Sequence, residues 1–327
     1  MKLFAHLAAT SVLFAASSAT AAPDVVVSIK PIHSLVAAIM EGIATPDLIV
    51  ESAASPHTFT MKPSNARNVQ DADLIFWTGP SMEAFLKKPL DALASDATIV
   101  RLDSLEGLVK LPLREGGPFE THDHGSHDHE PESADGHEDD HHAEDQHHHD
   151  HQTGGIDTHL WLNPENAKVM ATAIETSLAA LDPDNAAAYH ANLAKLTDKI
   201  DELDVEIAAT LSPVKNKPFI VFHDAYQYFE EHYGVTVAGS ITVSPEVMAG
   251  AERIAQIQAK VKELQATCVF SEPQFEPKLV EVVIEGTSAR SATLDPLGAS
   301  LAQGPELYFE LMRSIATSLS DCLDDVG

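Results

Sequence analysis

Residues 182–213 read DPDNAAAYHANLAKLTDKIDELDVEIAATLSP. Pro183 suits a first helical turn, where its missing N–H costs nothing, and Pro213 stops what precedes it. Between them Leu193, Leu196, Ile200, Leu203, Ile207 and Leu211 recur every three or four residues, one apolar stripe on an amphipathic helix. At 1.5 Å per residue such a helix spans about 40 Å, the width of a domain. It reads as a backbone helix between two lobes.

Both flanks support that reading. Upstream, Val25–Ile29, Leu48–Val50, Leu74–Trp77 and Thr98–Leu102 read as strands, separated by helical patterns at Ser34–Glu41, after Pro63, and at Met82–Leu93. Asn163 then caps a helix that Pro164 opens and that runs to about Leu181. Downstream, strands at Phe219–Phe222, Val235–Ala238, Cys268–Phe270 and Ala292–Leu294 alternate with helices at Tyr226–Tyr233, Ala249–Leu264, Pro277–Glu285 and Pro305–Leu319. Strands alternating with helices imply parallel sheets. The expected fold is α/β: two similar lobes with parallel-type sheets flanked by helices, joined by the long helix. The expected division is a leader at 1–22, an N-terminal lobe at 23–119 completed by 156–182, an insertion at 120–155, the connecting helix at 183–212 and a C-terminal lobe at 213–327. Ligands of such sheets bind at the carboxyl ends of strands, and a cleft between lobes is a natural site.

The 327 residues include 50 Asp+Glu against 20 Lys+Arg, a formal net charge of −30. So acidic a chain is a poor partner for nucleic acid or an anionic membrane. The charge is concentrated: residues 120–151 hold 12 acidic residues, 11 His and no Lys or Arg. That segment has no apolar periodicity and is expected to be a mobile surface insertion. Its interleaved carboxylates and imidazoles favour cations, and ordering so flexible a chain around one ion costs entropy. Several weak, exchangeable zinc sites are therefore expected among His122, His124, His127, His129, His137, His141, His142, His147, His148, His149 and His151.

Lys2, the apolar run Leu3–Ala16 and Ala19-Thr20-Ala21 have the form of a cleavable export signal, with no Cys beside it to carry a lipid anchor. The expected compartment is a bacterial periplasm. Cys268 and Cys322 are the two cysteines. In an oxidising compartment they read as one disulfide, the alternative being two unpaired buried thiols.

Outside leader and insertion, six His remain: His33, His57, His159, His190, His223 and His232. His223 follows an apolar run at a strand's carboxyl end. His57 lies on a Ser55-Pro56 loop, His159 just ahead of the Asn163 cap, and Asp295 directly after a strand. Three imidazoles and a carboxylate suit tetrahedral Zn(II), although residues so far apart in sequence do not by themselves establish a site. His190 and His232 read as surface residues, and His33 as a support of the fold or of a neighbouring ligand.

The chain resembles a known family at Ser55-Pro56-His57-Thr58-Phe59, Asp157-Thr158-His159-Leu160-Trp161-Leu162, Phe222-His223-Asp224-Ala225-Tyr226 and Leu294-Asp295-Pro296-Leu297-Gly298. The His-rich insertion, the Cys268/Cys322 pair and Phe270-Ser271-Glu272-Pro273-Gln274-Phe275 add to the likeness. It is similar to the periplasmic zinc-binding components of bacterial high-affinity zinc ABC importers, the ZnuA type of metal-binding solute-binding proteins. The resemblance implies one buried metal in the cleft, with His57, His159 and His223 as ligands. Some members carry Glu just before the first ligand His. Here that position is Pro56, so the resemblance implies Asp295 or a water as the fourth ligand. Manganese-preferring relatives replace an imidazole by a carboxylate, so three His favour Zn(II). The implied partners are a membrane permease and a periplasmic zinc chaperone, the implied state a monomer, and no catalysis is implied. The competing readings are a manganese-preferring receptor, a zinc-dependent hydrolase and a surface adhesin. No HExxH motif or assignable general base lies near these motifs to support the hydrolase.

Overall fold

The computed structural model describes residues 22–114, 119, 155–242, 249–264 and 268–324. Residues 1–21 of the expected leader, and the His-rich segment with all its imidazoles, lie outside the described residues. The first sheet comprises β1 (Val25–Val27), β2 (Asp47–Leu48), β3 (Leu74–Trp77) and β4 (Thr98–Arg101), all parallel in the order β2-β1-β3-β4. The second repeats the pattern: β5 (Phe219–His223), β6 (Val237–Thr242), β7 (Cys268–Ser271) and β8 (Arg290–Thr293) in the order β6-β5-β7-β8. The inner strands are continuous apolar runs because helices cover both faces of a parallel sheet. The edge strands β4 and β8 are largely exposed.

The helices are α1 (Lys30–Ile39), α2 (Pro63–Asp71), α3 (Ala84–Leu93), α4 (Pro164–Leu181), α5 (Ala186–Leu211), α6 (Gln227–Tyr233), α7 (Ala251–Leu264), α8 (Lys278–Ile284) and α9 (Leu307–Asp324). α5 is the expected connector. Its Leu196, Ile200, Leu203, Ile207 and Leu211 are buried, and it packs against α1 and α4 of the first lobe and α9 of the second. Asn192 on α5 donates to the carbonyls of Ile39 and Glu41, satisfying acceptors that α1 leaves open at its C-terminus. The N-cap of α4 forms as expected: Asn163 accepts from the N–H groups of Glu165 and Asn166. α1 starts earlier than the sequence pattern suggests, at Lys30, with Pro31 in its first turn. Among the described residues no helix is long and apolar enough to cross a membrane.

In each sheet the order reverses between the first and third strands, which opens a crevice beyond their carboxyl ends. The crevice between β1 and β3 is filled from within. Buried Glu83 accepts from Ser28 Oγ (2.6 Å), Gly79 N–H (2.8 Å) and Thr78 N–H (3.1 Å), and burial pushes its carboxyl up to about 7. The equivalent crevice between β5 and β7 holds His223 and Glu272.

The lobes are sutured as well as tethered. Lys30 of α1 donates Nζ–H bonds to the carbonyls of Gly298 (3.0 Å), Ala299 (2.9 Å) and Leu301 (3.0 Å) in the second lobe. Trp161 Nε1 donates to Pro296 O (2.8 Å), and Tyr308 OH donates to Trp161 O (3.0 Å). Arg114 bridges Asp224 and Glu230, both nearly buried. One apolar cluster continues through both lobes. A smaller one lies under α7 and α8.

Cys268 of β7 and Cys322 of α9 are disulfide-bonded across 54 residues. On the chain-entropy model, closing a loop of that length contributes about 4 kcal/mol. Paired Cys268→Ser and Cys322→Ser substitutions are expected to lower unfolding stability by that order, read from the denaturant midpoint. A loss below about 1 kcal/mol would show that packing alone holds α9.

Candidate metal centre

The three imidazoles reach one point by different local routes. From β2 the chain runs through Ile49 and Val50 to the turn at Ser55-Pro56-His57, closed by a Thr58 N–H bond to Ser55 O. His159 is delivered by a short antiparallel pairing of Pro112 with Ile156, extended by Asp157 N–H to Leu111 O. Tyr228 OH locks that pairing, accepting from Leu111 N–H and donating to Asp157 O. His223 is the last residue of β5. Two ligand candidates therefore come from the first lobe and one from the second.

Nitrogens of His57, His159 and His223 all lie within 4.8 Å of one another. His159 and His223 are buried, and His57 is half-buried. Two ring nitrogens are already committed on their far sides. His159 Nδ1 lies 2.8 Å from Asp157 Oδ1, and His223 Nδ1 lies 2.7 Å from Glu272 Oε1. When these carboxylates are ionised they only accept, so both Nδ1 atoms then carry hydrogen and both Nε2 lone pairs point inward in the neutral rings. Those Nε2 atoms face each other at 3.3 Å. Tetrahedral zinc with Zn–N near 2.0–2.1 Å requires an N···N edge of about 3.3 Å. The enclosed cavity measures about 10 Å³ and is lined by the three His with Met82, Glu272, Gln274 and Phe275 among others. That is room for about one water-sized particle, so a single ion fits and an organic molecule does not.

Electrostatics divide the rings. Burial, followed by the neighbouring imidazoles, holds His57 well below its usual 6.5. Burial and then His223 do the same to His159. At His223 burial opposes protonation, yet Glu272, Asp224 and Asp157 together outweigh it and raise the value. Burial pushes Asp157 up to about 7, partly offset by the His159 N–H it accepts.

Asp295 is not brought into this group. Its Oδ1 accepts from Leu297 N–H, Gly298 N–H and Gln274 Nε2, and its Oδ2 accepts from Ala299 N–H. The tight loop, with Gly298 at φ +68°, leaves these backbone donors without strand or helix partners, and the carboxylate is what satisfies them. Asp295, expected beside a water as the fourth ligand, thus lies outside the three-histidine group and caps its own loop. His33, buried, bonds Pro46 O through Nε2 (2.9 Å) and supports the fold. His190 is exposed beside Glu175, and His232 pairs with Asp204 on α5, both away from the centre.

Sequence reasoning passed over two residues, Asp157 and Glu272, although both stand inside quoted motifs. Glu272 directly follows β7, so the carboxyl-end rule that singled out His223 also points to it.

The profile of the zinc-uptake complex component A (ZnuA) family, described as periplasmic, matches residues 25–322. The high-affinity zinc uptake system protein ZnuA of Brucella abortus (strain 2308) is 57% identical over 304 residues, covering 91% of each chain. A crystal structure of ZnuA superposes with a TM-score of 0.72 at 25% identity, covering 92% of this chain and 99% of that one. A ZnuA deletion mutant described as having zinc bound superposes at 0.70, also 25% identical, covering 92% of this chain and 98% of its own. Matched along nearly its whole length, the chain belongs to the ZnuA family of periplasmic zinc-uptake components.

Proposed function

We propose that this protein captures Zn(II) in the inter-lobe centre and delivers it to the membrane permease of an ABC importer, without catalysis. The observation that carries the reading is the pair of inward Nε2 lone pairs at 3.3 Å, each fixed by a carboxylate behind its ring. Two facing lone pairs repel unless a cation or a proton lies between them. His57, His159 and His223 are the ligands, and a water completes the tetrahedron. Asp295 holds the Leu297–Ala299 loop in place. A manganese preference fits poorly, because three imidazoles and no ligating carboxylate form a set too soft for that ion. A hydrolase reading has no space for its substrate in a cavity of about 10 Å³.

The leader at 1–22 is removed on export, and the periplasmic protein works as a monomer. Segment 120–151 offers weaker accessory zinc sites, and a periplasmic zinc chaperone is a further partner. The relative whose deletion mutant still has zinc bound is consistent with a principal site independent of an insertion.

Three outcomes are expected. Zinc titration of a variant lacking 120–151 yields one tight site at reduced total stoichiometry; unchanged stoichiometry at neutral pH removes the accessory-site reading. His57→Ala, His159→Ala or His223→Ala in that background each weakens zinc by at least 100-fold, whereas Asp295→Ala mainly lowers thermal stability. A variant series with undiminished affinity would refute the centre.

The third concerns pH. His57 and His159, with lowered values, stay neutral and compete little with zinc through the mildly acidic range. His223, with a raised value, binds a proton that zinc must displace. Affinity should therefore fall as pH drops through the region above 6.5, with protons released as zinc binds. Calorimetry in buffers of different ionisation enthalpy measures that release, and none at pH 6.5 would contradict it.

A further inference from the structure

A dication held by three neutral imidazoles keeps its full charge of +2, and burying that charge without compensation is expensive. The centre therefore needs negative charge that the proposed ligands do not supply. The acidic groups around it differ in availability. Asp224 and Glu230 are taken by Arg114. Asp295 is occupied by three backbone N–H groups and lies within electrostatic range of Lys30.

Asp157 and Glu272 remain. Their side chains are 3% and 1% exposed, and each gives one oxygen to the Nδ1 of a ligand imidazole. The other oxygen of each, Asp157 Oδ2 and Glu272 Oε2, is buried and makes no hydrogen bond of ordinary geometry among the described residues, although the buried Tyr226 hydroxyl lies beside the Glu272 carboxylate. An orphaned carboxylate oxygen in a dry interior is costly in an empty protein. Two of them, one behind each of two converging rings, call for a common cause.

We propose that Asp157 and Glu272 are the charge-compensating, positioning carboxylates of the centre. They orient the rings of His159 and His223, and they offset the +2 of the bound ion. The centre is thereby matched to the charge of its ion as well as to the donor preference. This rests on the three-histidine reading above.

The mechanism makes a quantitative demand. Coulomb energy scales with the charge of the ion. Removing one carboxylate charge should weaken a dication by twice as much, on a logarithmic scale, as a monocation in the same centre. A residue that merely props up the ring weakens both by the same factor. Glu272→Gln and Asp157→Asn keep shape and an acceptor oxygen for Nδ1–H while removing the charge.

The experiment uses the full-length exported protein and competition with chromophoric chelators. Zn(II) is the dication, and Cu(I), held anaerobically with ascorbate, is the monocation that also accepts imidazole. Each variant is expected to weaken Zn(II) by about 10–100-fold, the range seen when partners of ligating histidines are removed. The Cu(I) loss should be about the square root of that factor, roughly 3–10-fold. Equal losses for the two ions, or Zn(II) affinity within twofold of the parent protein, would overturn the proposal. The two variants are independent, so failure of one to fold leaves the other decisive. Failure of the underlying reading is separately visible: the parent protein would then lack a tight Zn(II) site abolished by His57→Ala.

Discussion

The ligand nitrogens of the proposed centre belong to two separately built sheets, and tetrahedral coordination tolerates errors of only a few tenths of an ångström. Everything that joins the lobes serves that tolerance. His57 and His159 come from the first lobe and His223 from the second. A hinge made of loose crossover strands would let the 3.3 Å approach of His159 and His223 drift. Instead α5 lies along both lobes, with its apolar stripe buried against α1, α4 and α9. The Lys30 ammonium, on three carbonyls of the opposite lobe, fixes the Asp295 loop at the same time. Lobe register and site geometry are one problem with one solution.

Much of this was legible in the amino-acid order, for definable reasons. Continuous apolar runs such as Phe219–Phe222 announce buried parallel strands, and the three-to-four spacing from Leu196 to Leu211 announces α5. The Asn163-Pro164 cap is local chemistry and forms as expected. The apolar signal at Ala292–Leu294 starts two residues after β8 does, because β8 is an edge strand whose Arg290 and Ser291 carry no hydrophobic signal. The loop contacts of Asp295 are not legible for a different reason. A motif records which residue follows a strand, but not how many backbone N–H groups the following loop leaves unsatisfied. Glu272 and Asp157 lay in plain view, yet their importance depends on which ring each faces, a long-range fact for Glu272, 49 residues from His223.

The division of labour at the centre follows from burial. Burial keeps the rings of His57 and His159 neutral, while the acidic neighbours of His223 raise its value, and in the proposed centre negative charge stands behind the rings. The approach to the site is similarly layered. The paired segments 111–113 and 155–157 bracket the His-rich insertion, and Asp157 in that pairing accepts from His159. Arg114, one residue beyond the pairing, reaches Asp224, the neighbour of His223. The insertion is thus rooted in the same framework that orients two of the three rings.

The crevice filled by Glu83 has a consequence for loading. Two sheets of identical strand order offer two equivalent crevices, and two equivalent sites would fill with statistical weights, leaving a large singly loaded population at intermediate supply. Here the first crevice is sealed by the chain's own carboxylate, bonded to Ser28, Thr78 and Gly79. At the proposed centre each molecule would then be either empty or full. A docking partner has only two species to tell apart, and can reject the empty one without having to recognise a half-loaded form.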